Sequence, residues 1–201
     1  YHAAGYDGIV VTDHYTEGFF GDMPADTSWR DKLDRYLTGW RAARDAGGVL
    51  GMTVLLGLEL RFAGSNNDYL VYGATPALLE AHPALYTLSP EVFSRFAKEN
   101  GLWWAQAHPF RPGLTRCPPS CLDGLEVFNG NPRHDSHNGL AAAYAEEHGL
   151  TAIAGSDYHE LPDLSGTGVR FHSEVTDNRT LLEGLRSGAF DIVRGAVPPI
   201  R

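Results

Sequence analysis

The chain has 201 residues, 43% of them hydrophobic and 11% aromatic, so it can bury one sizeable core and is predicted to form a single domain over 1–201. It carries 25 acidic against 16 basic residues and a formal net charge of -9, which excludes the positive field of a general nucleic-acid-binding protein. Two cysteines are too few for a disulfide framework or a paired zinc module. Because no apolar stretch approaches the roughly 20 residues that span a bilayer, and no signal-peptide pattern is present, we expect a soluble, cytoplasmic protein.

Short apolar runs alternate with amphipathic segments along the chain. Residues 1–5 have the pattern of a last helical turn closed by a glycine, and 6–12 is a predicted strand that stops at Asp13 and His14. Apolar residues at helical spacing then predict a helix over 29–46. The later predicted elements are strands over 53–60 and 68–73, a helix over 90–100, strands over 102–107 and 125–128, a helix ending at Gly149, a strand over 151–154, a helix over 178–187 and a strand over 190–194.

The character of these strands predicts the fold class. Most are continuously apolar rather than alternating, which is typical of parallel strands covered on both sides by crossover helices. Such a pattern predicts either an α/β barrel or a doubly wound sheet. We favour the barrel because polar residues end several successive strands, and barrel enzymes assemble their sites from those ends.

Residues suited to metal binding follow most of the predicted strands. Any one of them has an ordinary explanation, since aspartate caps turns and a loop histidine is usually solvated or hydrogen-bonded. Independent capping would not, however, select histidine so often. The set comprises Asp13, His14, Glu59, His108, Glu126, Asn129, His134, Asp157 and His159.

Some of these positions carry geometric information. Asp157 and His159 are two apart in an extended segment and project to the same face, where they can reach one ion or two adjacent ions. Imidazole and carboxylate together suit zinc, iron or manganese. Glu59 lies in an apolar strand, so its carboxylate either pairs with an arginine such as Arg61 or binds metal, and we favour metal. Arg111, in a proline-stiffened loop, is either a surface residue or a ligand for phosphoryl oxygens.

Five stretches resemble, in order and context, the PHP (polymerase and histidinol phosphatase) family, and together they cover almost the whole chain. The most specific are Thr12-Asp13-His14 and Gly155-Ser156-Asp157-Tyr158-His159, which occur together. The others are Gly57-Leu58-Glu59, Ala107-His108-Pro109 and Leu125-Glu126-Val127-Phe128-Asn129-Gly130. The resemblance implies a distorted (β/α)7 TIM-like barrel with two or three divalent metal ions, of zinc, manganese or iron.

The resemblance also implies a set of metal ligands, namely His14, Glu59, His108, His134, Asp157 and His159. In this set Glu59 bridges the first two metals. Asp157 belongs to the first metal and His108 to the second, and His14 and His159 bind the third. Asp13, Arg111 and His159 are the predicted catalytic residues.

Two points of the resemblance are less well defined. The spacing from Glu126 favours His134 as the remaining ligand of the second metal, with His137 as the alternative. The His-x-His pair that ends the first strand in this family is absent from the chain. We therefore expect the first strand and most of the first helix of the barrel to be missing from this sequence.

The resemblance implies a metal-dependent phosphoesterase or phosphatase of the histidinol-phosphatase-like branch, which hydrolyses a phosphate monoester or diester through a metal-activated water. The expected partner is a small phosphorylated substrate or an oligonucleotide end, with no stable nucleic-acid binding and no membrane. One alternative is an amidohydrolase-like hydrolase, although Lys32 and Lys98 lie in predicted helices and no lysine ends a strand. Another is a non-catalytic metal-binding domain, favoured only by the absent His-x-His pair.

Overall fold

A computed structural model describes residues 1–195, which form a mixed α/β fold. Its strands are β1 (Gly8–Val11), β2 (His14–Thr16), β3 (Thr53–Arg61), β4 (Asp68–Tyr72), β5 (Trp103–Gln106), β6 (Gly124–Asn129), β7 (Thr151–Gly155), β8 (Gly168–Phe171) and β9 (Phe190–Val193). Its α-helices are α1 (Glu17–Gly21), α2 (Trp29–Tyr36), α3 (Thr38–Val49), α4 (Pro76–Ala81), α5 (Pro90–Glu99), α6 (Asn138–His148) and α7 (Asn178–Ser187). None of these helices is long and apolar enough to cross a membrane.

Seven strands form one curled, half-barrel sheet in the order β1-β3-β4-β5-β6-β7, with β2 also paired to β3. β1 and β2 are two parts of one interrupted strand, because both lie parallel to β3 and pair with its successive halves. β8 and β9 form a separate two-stranded antiparallel sheet, and α7 lies between them in the chain. The strand order follows the chain order, as in a TIM-like barrel, rather than reversing as in a doubly wound sheet.

The prediction of an all-parallel sheet is wrong at β4. This strand runs antiparallel to both β3 and β5. The pairs β1-β3, β5-β6 and β6-β7 are parallel. Only residues 62–67 join β3 to β4, which is too short for a crossover helix, so the chain turns back on itself. As a consequence, the first residue of β4 lies at the same edge of the sheet as the last residue of β3.

The helical prediction over 29–46 corresponds to two helices, because α2 ends at Tyr36 and α3 begins at Thr38. α3 also continues through Gly47, which was predicted to lie beyond the helix end. Gly47 is buried, and a Cβ there would clash with the side chain of Val54, so the glycine allows α3 to approach β3 closely. Residues 15–27, for which no helix or strand was predicted, contain most of β2 and all of α1, and α4 and β8 were not predicted either.

Aromatic side chains fill much of the core between the sheet and its helices. Tyr15 and Phe20 pack edge to face at 4.9 Å between ring centroids, and Phe93 packs in the same way on Trp104, also at 4.9 Å. All four are at most 1% exposed. Burying such large rings contributes strongly to stability and fixes the ends of β2 and β5, which carry candidate site residues.

A cavity of about 1300 Å³ separates β1 from β7, the two ends of the described sheet. Its walls are largely apolar and include Val10, Leu55, Leu70, Ile153 and Leu185. Polar residues that follow the strands stand at its mouth, and the candidate site is there.

Candidate metal centre

Most of the site residues predicted from the sequence come together around this one cavity. Its lining includes Asp13, His14, Glu59, His108, Glu126, Asn129, Asp157 and His159. Apart from Glu126, which lies within β6, these residues lie near or just beyond the C-terminal ends of β1, β3, β5, β6 and β7, or at the start of β2. The curled sheet therefore gathers residues that are far apart in sequence, as expected of a barrel-type site.

Glu59 is the centre of the arrangement. Its carboxylate is 8% exposed, with Oε2 3.3 Å from Nδ1 of His14 and Oε1 3.3 Å from Nε2 of His108. His14 is brought there by the register of β2 with β3, in which His14 pairs directly with Glu59. Carboxylate and imidazole groups that zinc accepts as ligands are thus brought together at one point, and the bridging role of Glu59 stays a prediction.

Asp68 joins this group and was not predicted from the sequence. Its Oδ2 lies 3.9 Å from Nε2 of His108, and one ligand atom from each of Glu59, Asp68 and His108 lies within 4.8 Å of the others. A carboxylate that opens a predicted parallel strand is expected at the opposite edge of the sheet. The antiparallel direction of β4 places Asp68 at the site instead.

Arg61 pairs with Asp68 rather than with Glu59. Its Nε and Nη2 donate to the two carboxylate oxygens of Asp68, both at 2.7 Å. The two residues face each other across β3 and β4 in the sheet register. The carboxylate of Glu59 therefore has two imidazoles and no arginine as its ion-pair partners among residues 1–195.

The chemistry of these side chains fits a divalent metal ion. Burial lowers the pKa of His108, but the hydrogen bond to Glu59 and the negative charge of Glu126 outweigh that effect and hold the pKa above its ordinary value. Within the described part of the chain, Nδ1 of His108 is buried without a hydrogen-bond partner. One imidazole beside two buried carboxylates is a donor set that zinc, manganese and iron accept.

Asp157 and His159 form a second part of the site at the end of β7. Nδ1 of His159 lies 3.0 Å from the backbone oxygen of Asp157 and 3.5 Å from its Oδ1. The ring of His159 stands 6.2 Å from the ring of His14, centroid to centroid. The two parts of the site therefore meet at these two histidines, which are both about half exposed.

Arg111 reaches this second part from the loop after β5. Its Nη2 donates to Oδ2 of Asp157 at 2.7 Å and to the hydroxyl of Ser136 at 3.2 Å. Its side chain is 20% exposed, and its Nε is buried without a partner among the described residues. The guanidinium thus lies beside a candidate ligand, although Arg111 does not itself line the cavity.

Glu126 was noticed as a strand-end residue without being given a role. It is 3% exposed, and Oε2 accepts hydrogen bonds from the backbone N–H of His108 and from Nδ2 of Asn129. Burial raises the pKa of Glu126 to about 7, although the charge of His108 and these hydrogen bonds oppose the rise. Its position indicates a supporting role beneath the metal ligands.

Three of the predicted site residues lie away from the group around Glu59. His134 and His137 are exposed and do not line the cavity, and Nδ1 of His137 lies 3.1 Å from Oδ1 of Asp135. Asp13 lines the mouth, and its Oδ2 is close to Gly39, where an added Cβ would lie 3.1 Å from it. The choice between His134 and His137 as a ligand stays a prediction, as does the catalytic assignment of Asp13.

The family model for the PHP-associated domain matches residues 135–190 of the chain. This segment extends from the loop before α6 to the first residue of β9, and it includes Asp157 and His159. The match confirms the resemblance to the PHP family that the sequence motifs predict. No curated protein matches the chain.

Two solved structures resemble the chain over nearly its whole length. One is a two-domain protein containing a predicted PHP-like metal-dependent phosphoesterase from Bacteroides vulgatus, with 19% identity, a TM-score of 0.65 and coverage of 95% of this chain. The other is PsfC from Pseudomonas syringae, with 17% identity, a TM-score of 0.70 and coverage of 97% of this chain and 80% of that one. At these identities the likeness establishes the fold alone. The chain spans 57% of the length of the first structure.

Proposed function

From the PHP-family domain that this chain carries, we propose that it is a metal-dependent phosphoesterase of the histidinol-phosphatase-like branch, acting on a small phosphorylated substrate or an oligonucleotide end. The observation that carries the proposal is the Glu59 carboxylate, held between His14 and His108 at 3.3 Å from each. Such a buried acid is costly unless its charge is compensated, and a divalent ion compensates it directly.

We assign the metal ligands as the sequence resemblance implies, with His134 or His137 still to be chosen, and we add Asp68 to them. Glu59, Asp68 and His108 form one group, and His14, Asp157 and His159 form the other. The donor set suits two or three ions of zinc, manganese or iron. When bound, such ions supply Lewis acidity and lower the pKa of water so that it can attack a phosphorus centre near neutral pH.

Arg111 is proposed to bind the phosphoryl oxygens of the substrate. Its guanidinium is fixed beside Asp157 by Nη2, and its side chain is 20% exposed. A fork of N–H donors matches a pair of phosphoryl oxygens in geometry and charge. The phosphate would thereby be held next to the candidate ligands and oriented for in-line attack.

Asp13 is proposed to protonate the leaving oxygen at the mouth, and His159 to act there as a metal ligand. In the tautomer of His159 that carries the proton on Nδ1, this atom donates to the backbone oxygen of Asp157, and Nε2 keeps a lone pair. Burial raises the pKa of Asp13 above its ordinary value, although the neighbouring His14 opposes the rise. Both groups lie at the cavity mouth, where a leaving oxygen would be protonated.

We also propose that a complete (β/α)7 barrel requires one more strand between β1 and β7. Each of these strands has a sheet partner on one side only within the described residues, and the apolar cavity lies between them. An extended apolar segment would satisfy both free strand edges and cover the apolar walls. Its C-terminal end would lie beside Glu59 and Asp157, where it could supply further ligands.

The activity is tested with 4-nitrophenyl phosphate as a generic aryl phosphate, in the presence of Mn²⁺ or Zn²⁺. We expect turnover above that of the metal alone, and a loss of about 100-fold or more in His108→Ala and Asp157→Ala. The matched control is His148→Ala, since His148 is exposed at the end of α6 and lies outside the cavity lining.

A second pair of variants tests the role of Arg111. Arg111→Met is expected to raise KM for the aryl phosphate, because the anion loses a charged partner. Arg116→Met serves as the control, since Arg116 lies in the same loop and its guanidinium stacks 5.3 Å from the ring of Phe110. If the wild-type chain binds metal but does not hydrolyse the ester, the proposed activity is contradicted. If both arginine variants behave alike, the proposed role of Arg111 is contradicted.

A further inference from the structure

Two candidate ligands have a backbone conformation that is uncommon for residues other than glycine. His108 has a φ of 30° and Asp157 a φ of 49°, in the left-handed region that favours glycine. Such a conformation costs energy and persists only where the surroundings of the residue hold it. Both residues stand directly beyond a strand end, so the contacts that fix them also fix the site.

The contacts that hold them come from β6 and the residues after it. Oε2 of Glu126 accepts the backbone N–H of His108 at 2.8 Å. Nδ2 of Asn131 donates to the backbone oxygen of Asp157, also at 2.8 Å. Glu126 and Asn131 are each 3% exposed, so water does not compete strongly for these bonds.

Asn129 connects the two contacts. Its Nδ2 donates to Oε2 of Glu126 at 3.1 Å and to Oδ2 of Asp157 at 3.2 Å, and its Oδ1 accepts the N–H of Asn131 at 3.1 Å. The backbone N–H and C=O of Asn129 are both bound by the side-chain amide of Asn138, at 2.9 and 3.1 Å. The Asn129 side chain is thus a fixed link, which is itself 5% exposed.

We propose that Asn129 is a positioning residue that couples His108 to Asp157, and that it directs Oδ1 of Asp157 toward the metal. Oδ2 of Asp157 already accepts from Asn129 and from Arg111, at 3.2 and 2.7 Å. Oδ1 faces His159, with Nδ1 at 3.5 Å. Of the two carboxylate oxygens of Asp157, Oδ1 is therefore the one that would hold a metal ion. The inference rests on the metal-dependent function proposed above and extends it to a residue that touches no metal.

The test uses the 201-residue chain and Co²⁺ alone, titrated calorimetrically, with the visible absorption of the bound Co²⁺ recorded in parallel. Asn129→Ala is expected to weaken Co²⁺ binding about 10- to 100-fold, as is typical when the partner of a metal ligand is removed. The Co²⁺ absorption band is expected to shift, because the coordination geometry changes with Asp157.

Two further variants keep the test decisive. Asn129→Ser retains an oxygen that can accept the N–H of Asn131, but its one O–H can donate to only one of Glu126 and Asp157. It is therefore also expected to weaken Co²⁺ binding, and it provides the test if the alanine variant does not fold. Asn178→Ala is the matched control, because Nδ2 of Asn178 donates only to the backbone oxygen of Ala74 and the residue lies outside the cavity lining.

The outcomes separate the inference from the proposed function. Weakened binding and a shifted band in the Asn129 variants, with an unchanged Asn178 variant, support the positioning role. Co²⁺ binding within about twofold of wild type in folded Asn129 variants, or equal weakening in Asn178→Ala, overturns it and leaves the proposed function standing. A wild-type chain that binds no Co²⁺ overturns both.

Discussion

At the scale of single residues, the two buried carboxylates Asp68 and Glu59 differ in their ion-pair partners. Both oxygens of Asp68 are held by Arg61 at 2.7 Å, whereas Glu59 has only imidazoles as ion-pair partners among the described residues. Asp68 is 4% exposed, and without Arg61 it would be a buried carboxylate with no strong counter-charge. The pair therefore stabilises the fold as well as the site.

Replacing Arg61 tests this pairing. Arg61→Met is expected to lower the free energy of unfolding by about 1–3 kcal/mol, a value reduced for solvent screening because the Arg61 side chain is 39% exposed. The measurement is urea unfolding of the metal-free chain. Arg179→Met is the control, since its pair with Glu183 is largely exposed and is expected to contribute less than about 0.5 kcal/mol. Equal effects of the two variants would show that Asp68 does not depend on Arg61.

The residues at strand ends could be predicted from the sequence because an apolar run followed by aspartate or histidine is visible locally. His14, Glu59, His108, Asp157 and His159 were identified in this way, and the structure brings them to one cavity. Contacts that depend on tertiary geometry were not visible. The approach of Asp68 follows from the direction of β4, and the partners of Asn129 come from segments far apart in the chain.

At the scale of elements, β6 is the strand that supports the site, and its start is tightly packed. A Cβ on Gly124 would lie 2.5 Å from the backbone oxygen of Thr151 and would clash with the ring of Trp103. Gly124 also pairs with Thr151 in the register of β6 with β7. The glycine is therefore required for the close approach of these strands rather than for a turn.

This packing predicts the effect of a single methyl group. Gly124→Ala is expected to destabilise the chain by about 1–3 kcal/mol, because neither a backbone oxygen nor a buried indole can move aside easily. Gly139→Ala, in α6, is the matched control: its Cβ would meet nothing within 4 Å, and it is expected to stabilise by about 0.5–1 kcal/mol. Thermal unfolding of both variants measures the difference, and a neutral Gly124→Ala would contradict the packing described.

Elements with a long, regular pattern could be predicted well, and short ones could not. The helix over 178–187 and the core of β3 follow directly from apolar periodicity. The break between α2 and α3 at Leu37, and the reversal at β4, depend on packing and on connection length. β2 and β8 have three and four residues, too few to establish a period.

At the scale of the whole molecule, the described sheet is a curled half-barrel whose ends, β1 and β7, flank an apolar cavity of about 1300 Å³. Five of the proposed metal ligands line this cavity, namely His14, Glu59, His108, Asp157 and His159. The binding of metal and the closure of the barrel are therefore expected to be coupled. A strand that fills the cavity would stabilise the apolar walls and confine the ligands around it.

The most direct test of the metal-centre account is metal content by elemental analysis, on this chain and on a version extended upstream by one strand and one helix. The account predicts two to three equivalents of bound zinc, manganese or iron per chain in the extended version, and less metal in the present chain. It also predicts that His108→Ala loses metal in both versions. If neither version retains stoichiometric metal after purification and reloading, Glu59, Asp68 and His108 are not a metal site and the account is contradicted.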